Sequence, residues 1–338
     1  MSADPATSAD DIAVEGAPPI AGLHFRPYRG PADLPGMIAV RNAAAIADRS
    51  FEIETEAELA NTLANREAFV PERDIVLAEL GDRIVAISHE LVSVRDGVRV
   101  YDSYGHVHPD VRRRGIGRAM LRNAETRLRA RAVAEGGGTG VFLGSWAFEM
   151  SPGSVALLDA EGYQVVRWFF EMERPTADPL LEAPLPDGLE LRPVCPEDVR
   201  PVLMADFEAF QDHWGARPFS EEAIREVEGS PHTDPSLWMV AWAGDEVAGS
   251  VLGSIFPDDN EASGVQRGWL DRVSVRRPWR HRGVARALIV AAIRALRERG
   301  MEVASLGVDA ENQTGALGLY EGLGFRPVKR AMAYRKSI

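Results

Sequence analysis

Cysteine is nearly absent from this chain of 338 residues. Cys195 stands alone, so no disulfide can close within the chain, and a reducing, cytoplasmic setting is expected. No apolar run comes near the ~18 residues that a membrane-spanning helix needs. The opening stretch, MSADPATSADDIAVEGAPP, lacks the basic start and apolar core of a secretory signal. Positive charge is scarce: 38 Lys and Arg face 51 Asp and Glu, a net charge of −13. Nucleic-acid and anionic-membrane partners require a basic face, so the balance argues against both. Hydrophobic residues at 45% and charged residues at 26% are ordinary for a globular protein, enough for two cores without a metal or disulfide staple. At about 150 residues per domain, the length predicts two domains. Residues 1–20, acidic and rich in Pro and Ala, read as a disordered tail.

What is present is an internal repeat. Leu23-His-Phe-Arg-Pro27 matches Leu189-Glu-Leu-Arg-Pro193, and Gly81-Asp-Arg-Ile-Val-Ala86 matches Gly244-Asp-Glu-Val-Ala-Gly249. Arg112-Arg-Arg-Gly-Ile-Gly117 matches Arg280-His-Arg-Gly-Val-Ala285, and Glu161-Gly-Tyr163 matches Leu323-Gly-Phe325. Four matches in order at nearly one offset indicate a duplicated domain. The proline-rich seam at 175–187 reads as a linker between domains at 21–174 and 188–338. Each half predicts the same mixed α/β order. A short strand (22–28; 188–194) leads into helices (31–48 and 54–66; 196–211 and 219–228). Three strands follow (74–80, 83–94, 98–108; 236–243, 246–256, 266–276), then a long helix (115–134; 283–299). A strand (140–146; 302–308), a short helix (152–161; 313–322) and a last strand end each half. The acidic stretch Pro257-Asp-Asp-Asn-Glu261 reads as a solvated hairpin loop.

The junction of the third strand and the long helix carries chemistry. Both copies place Arg-x-x-Gly-x-Gly/Ala at a helix start: Arg112, Gly115 and Gly117, then Arg280, Gly283 and Ala285. A helix start leaves N–H groups unpaired and a partial positive charge aimed outward. Small residues let a pyrophosphate reach the backbone, and arginines add charge, so the loops predict anion cradles. One copy would be a solvated turn; two at equivalent places favour the cradle. His106 and His108 share a strand face but lack a third ligand, so no metal is expected. Cys195 has no histidine at a familiar spacing and reads as structural.

These motifs resemble the GCN5-related N-acetyltransferase (GNAT) superfamily, once per half. The second half is the more specific match, with Val-Asp-Ala-Glu-Asn312 followed by Ala316-Leu-Gly-Leu-Tyr-Glu-Gly-Leu-Gly-Phe325. The tandem layout is similar to that of mycothiol synthases, and Phe210-Gln-Asp-His-Trp-Gly215 resembles a stretch recurring in such proteins. The resemblance implies a tandem duplication of the GNAT fold, with acetyl-CoA as co-substrate and a small-molecule amine as acceptor. It implies pyrophosphate on Arg280, His281, Arg282, Gly283, Val284 and Ala285, pantetheine beside Val273 and Val275 between splayed strands, and Asn312 at the donor site. In the first half it implies Val107, Arg112, Arg113, Arg114, Gly115, Ile116 and Gly117.

Alignment puts Leu158 opposite Tyr320 and Met150 opposite Asn312, so the first half lacks the tyrosine that faces the CoA sulfur. Acyl transfer to an amine needs a base, an N–H for the oxyanion, and an acid for the thiolate. Asp271 is the first candidate base and Glu208 the second; a backbone N–H on Val273–Val275 is the oxyanion donor and Tyr320 the acid. Asp271 paired with Arg272 or Arg276 is the competing reading. His213 and Trp214 are expected on the acceptor wall. A non-catalytic acyl-CoA sensor and an aminoacyl transferase using charged tRNA remain alternatives.

Overall fold

The computed structural model describes residues 11–66, 68–95, 98–136, 140–216, 219–312 and 315–338. The first repeat runs β1 (Leu23–Pro27), α1 (Leu34–Ala47), α2 (Glu56–Asn65), α3 (Pro71–Asp74), β2 (Ile75–Leu80), β3 (Arg83–Arg95) and β4 (Val98–Val107). It continues with α4 (Ile116–Ala134), β5 (Val141–Phe148), α5 (Pro152–Ala160) and β6 (Gln164–Pro175). The second runs β7 (Glu190–Leu191), α6 (Val199–Phe210), α7 (Glu221–Glu228), β8 (Met239–Ala243), β9 (Glu246–Ile255), α8 (Pro257–Ser263) and β10 (Arg267–Val275). It closes with α9 (Val284–Glu298), β11 (Val303–Asp309), α10 (Ala316–Gly322) and β12 (Arg326–Ser337). The acidic stretch expected to be a hairpin loop is the helix α8. Pro257 occupies its first position, and Gly264, left-handed at φ 70°, ends it.

The chain divides into two compact units, one running to Val166 and taking in Ala333–Ile338, the other spanning Arg167–Met332. In the first unit the strand order is β1-β2-β3-β4-β5, with the end of β12 beside β5. In the second it is β7-β8-β9-β10-β11-β6-β12. The division therefore differs from the expected 21–174 and 188–338. β6, expected to close the first repeat, pairs antiparallel with β11 from Val303 opposite Pro175 to Asp309 opposite Phe169. A duplicated sequence makes equivalent last strands interchangeable, which is the condition for swapping. Within the expected linker, Leu180, Ala183 and Leu185 pack on the core of the second unit.

That core is built by α9. Its Val284, Leu288, Ala292 and Leu296 recur every four residues and bury against Val251 and Leu270 of the sheet, Leu306 of β11 and Tyr320 of α10. In the first unit Ile116 and Met120 of α4 pack on Phe25, Val76 and Val85. Ile12, Val14 and Ile20 join that cluster, and the Ile12 N–H bonds to the Phe25 carbonyl at 2.7 Å. The expected disordered tail is therefore folded over residues 11–20, anchored by three apolar side chains that its acidic composition obscured; residues 1–10 lie outside the described residues. Among the described residues no helix is long and apolar enough to cross a membrane.

Candidate active site

The two Arg-Gly loops have the same backbone. Arg113 and His281 are left-handed at φ 62° and 58°, and Gly115 and Gly283 are left-handed at 91° and 88°. A non-glycine residue in that region is uncommon, so its recurrence in both repeats marks a defined loop. Alternating handedness turns successive N–H groups toward one point, the geometry of an anion-binding nest. In the second unit the nest opens α9, whose first N–H groups have no carbonyl four residues back and no capping side chain. Nothing lies within 4 Å of where a Cβ on Gly283 would stand, so the backbone at that glycine is open.

Arg280 and Arg112 do a different job from the one expected. The Arg280 guanidinium bonds to the Val275 carbonyl at 2.9 Å, to the Ala209 carbonyl at 3.1 Å and to Asp212 at 2.6 Å. Arg112 bonds to the Val107 carbonyl at 3.1 Å and to Asp48 at 2.6 and 3.1 Å. Each arginine thus ties the loop to the strand end and is neutralised by an aspartate.

β10 and β11 pair in parallel only from Arg267 opposite Val303 to Trp269 opposite Ser305, and then diverge. The Arg276 N–H bonds to the Ala248 carbonyl on β9, so by alternation the N–H groups of Val273 and Val275 face the gap between the splayed strands. Opposite β9 the ladder slips: Leu270 faces Gly253 and Arg272 faces Leu252, leaving Asp271 as the extra residue of a β-bulge. β4 has no such bulge against β3. The Asp271 side chain is exposed at this bulge. Desolvation pushes its carboxyl up to about 6, against the opposing pull of the Ser254 hydroxyl, Arg272 and His232.

Carboxylates on and just beyond α6 hold the arginines of β10 and its loop. Asp206, 0% exposed, grips the Arg272 Nε. Arg272 also lies over Phe210 at 4.1 Å and Phe207 at 5.1 Å. Asp212 holds Arg277 and Arg280, which keep its carboxyl well below the usual range. Glu208 pairs with Arg276 at 2.9 Å on an exposed face. Glu208 thus anchors an arginine, and it borders an open groove of about 650 Å³ with Met204, Phe207 and Val247. The competing reading of Asp271 as an ion pair with Arg272 or Arg276 is set aside, because both arginines have other carboxylates.

His213 stacks on Phe210 at 4.3 Å, and its Nδ1 is buried without a partner. Desolvation, then Arg272 and Arg280, push its pKa down, so the ring stays neutral at pH 7. Trp214 meets Phe169 at 5.8 Å and the Arg167 guanidinium at 5.5 Å. Arg167 also forks onto Asp309 of β11 at 2.8 and 2.9 Å. Arg167 and Phe169 were missed in the sequence because they precede the seam; the exchange of β6 brings them to the second unit. Asn312 follows β11, its N–H bonded to the Asp309 carbonyl at 3.1 Å.

Tyr320 on α10 is 6% exposed, with its ring edge-on to Phe325 at 6.2 Å. Burial pushes its hydroxyl up to about 12, so it is protonated throughout the neutral range. In the first unit His106, on β4, is half-buried, and desolvation pushes it down to about 4. His108 instead accepts the Asp110 N–H at the next turn. Among the described residues no group of three or more His, Cys, Asp or Glu is placed to hold a metal ion.

A helix start, a splayed parallel pair and a bulged strand converge at one end of the second unit's sheet. Residues 198–325 match the model of the Acetyltransferase (GNAT) family. A mycothiol acetyltransferase of Thermomonospora curvata is 32% identical over 255 residues, covering 70% of this chain and 79% of the relative. The chain belongs to the GNAT acetyltransferase family. It is an N-acetyltransferase, and acetyl-CoA is the family's acyl donor. A GCN5-related N-acetyltransferase from Sphaerobacter thermophilus superposes with a TM-score of 0.65 at 27% identity, covering 93% of this chain and 95% of that one. A tandem GNAT protein from the clavulanic acid biosynthesis pathway gives 0.65 at 18% identity, over 93% of this chain and 98% of that one, a likeness of fold.

Proposed function

We propose that the second unit transfers the acetyl group of acetyl-CoA directly to the primary amine of a small acceptor of the mycothiol type. The acceptor class follows the name of the relatives. The observation that carries the reading is the bulge at Asp271, on a strand that ends at the open Gly283 cradle and faces a gap lined by the N–H groups of Val273 and Val275.

The diphosphate of the donor would lie on the 281–285 amides, with its pantetheine arm in the gap. An alkylamine resembles lysine, with a pKa near ~10.4, and must lose a proton to attack. Asp271, ionised above about pH 6, takes that proton directly or through one water. Attack on the thioester carbon moves charge to its oxygen, where a strand N–H from Val273 or Val275 receives it. Collapse breaks the C–S bond, and Tyr320 donates its hydroxyl proton to the departing thiolate. No step requires a covalent acyl-enzyme.

The test is a panel of amines with acetyl-CoA, followed by loss of thioester absorbance and by the mass of the product. A thiol assay is unsuitable, because an acceptor of this type carries its own thiol. An N-acetylated product from a thiol-bearing amino sugar supports the reading. Thioester loss only by hydrolysis, with no amine accelerating it, removes it.

A further inference from the structure

The two cradles share one backbone but not one environment. A Cβ on Gly283 would meet nothing within 4 Å, whereas one on Gly115 would meet Pro18 Cβ at 3.5 Å and Cγ at 3.7 Å. Pro18 belongs to the segment 11–20. Its Ile12, Val14 and Ile20 pack on the same cluster as Val107, Val111 and Ile116, the residues that flank the loop. Glu15 of that segment adds its negative charge to the field at Arg122 of α4. In the second unit Leu180 and Leu185 pack comparably on the core, yet Gly283 stays clear.

We infer that the N-terminal segment of this chain is the occupant of the first unit's anion cradle, so that the folded protein binds one acyl-CoA and not two. The chemistry matches. The segment carries Asp11 and Glu15, and the loop it lies against carries Arg113 and Arg114. An acidic strap with a proline over the glycine offers the loop negative charge and fills the space where a phosphate must approach the backbone. The first unit is also unequipped to use a donor: β4 lacks the bulge, and Leu158 stands where the second unit has Tyr320. The inference rests on reading both loops as pyrophosphate cradles.

Calorimetry with acetyl-CoA on the full chain tests it. Wild type should bind one equivalent and Gly283→Glu none. Detaching the strap with Ile12→Asp and Val14→Asp in the Gly283→Glu background should restore one equivalent, and adding Gly115→Glu should remove it again. If that variant fails to fold by circular dichroism, Pro18→Gly with Glu15→Gln keeps the anchors and should restore binding in its place. An equivalent bound by Gly283→Glu with the strap intact, and lost on adding Gly115→Glu, overturns the inference. So does a folded, detached variant that binds nothing. A wild-type equivalent that survives both glycine substitutions would remove the cradle reading itself.

Discussion

Tyr320 and Leu158 hold the same place in their two units. The Phe325 N–H bonds to the Tyr320 carbonyl at 3.0 Å, and the Tyr163 N–H bonds to the Leu158 carbonyl at 3.0 Å. The backbones are equivalent, and only one of the two side chains has a proton to give. Tyr320→Phe keeps the ring against Phe325 and removes the hydroxyl. Its kcat should fall on the order of 10²-fold, with little change in the KM for acetyl-CoA. Leu158→Ala should cost about 2–5 kcal/mol of stability and leave turnover intact. Steady-state kinetics with a chemical step shown to be rate-limiting, and thermal melts of both variants, are the check.

Asp271 should set the acid limb of the pH profile. With its carboxyl pushed up to about 6 in the free enzyme, kcat/KM should fall as pH drops through that value. Asp271→Asn should abolish the limb and lower kcat by about 10²-fold or more. Stability should move the opposite way. The native pKa lies above the unfolded one, so the native state binds the extra proton between about pH 4 and 6, and stability falls as pH rises through that window. Asp271→Asn should therefore melt above wild type at pH 7.5, with the difference vanishing near pH 4. A variant with wild-type kcat and an unchanged limb would assign the base elsewhere.

Asp212→Ala should loosen the donor loop without touching the reacting atoms. It removes the carboxylate that holds both Arg277 and Arg280. The KM for acetyl-CoA should rise on the order of tenfold, equivalent to about 1.4 kcal/mol, with kcat retained. Asp212→Glu should recover part of the loss. A kcat defect with unchanged KM would contradict the positioning role.

The repeat was legible because each of its elements is specified locally. The four-residue spacing of Val284, Leu288, Ala292 and Leu296 declares a buried helix wherever it docks. The loops were legible because Gly115 and Gly283 need a left-handed backbone that their neighbours repeat. The destination of β6 was not legible: equivalent strands fit either sheet, and nothing local in Gln164–Pro175 names its partner. Glu208 was legible as a solvated residue of its helix and only a second candidate base, but its partner Arg276, 68 residues away, was not. Asp271 could be chosen from the strand, but the slip of register that sets it on a bulge is a property of β9 and β10 together.

The central claim is that acetyl transfer belongs to the second unit alone. Initial rates of N-acetylation by wild type, Gly115→Glu and Gly283→Glu, at saturating acceptor and with folding confirmed for each, test it most directly. Gly115→Glu should turn over at wild-type rates, and Gly283→Glu should show no detectable turnover. Turnover that survives in Gly283→Glu and disappears in Gly115→Glu would contradict it and place the reaction in the first unit.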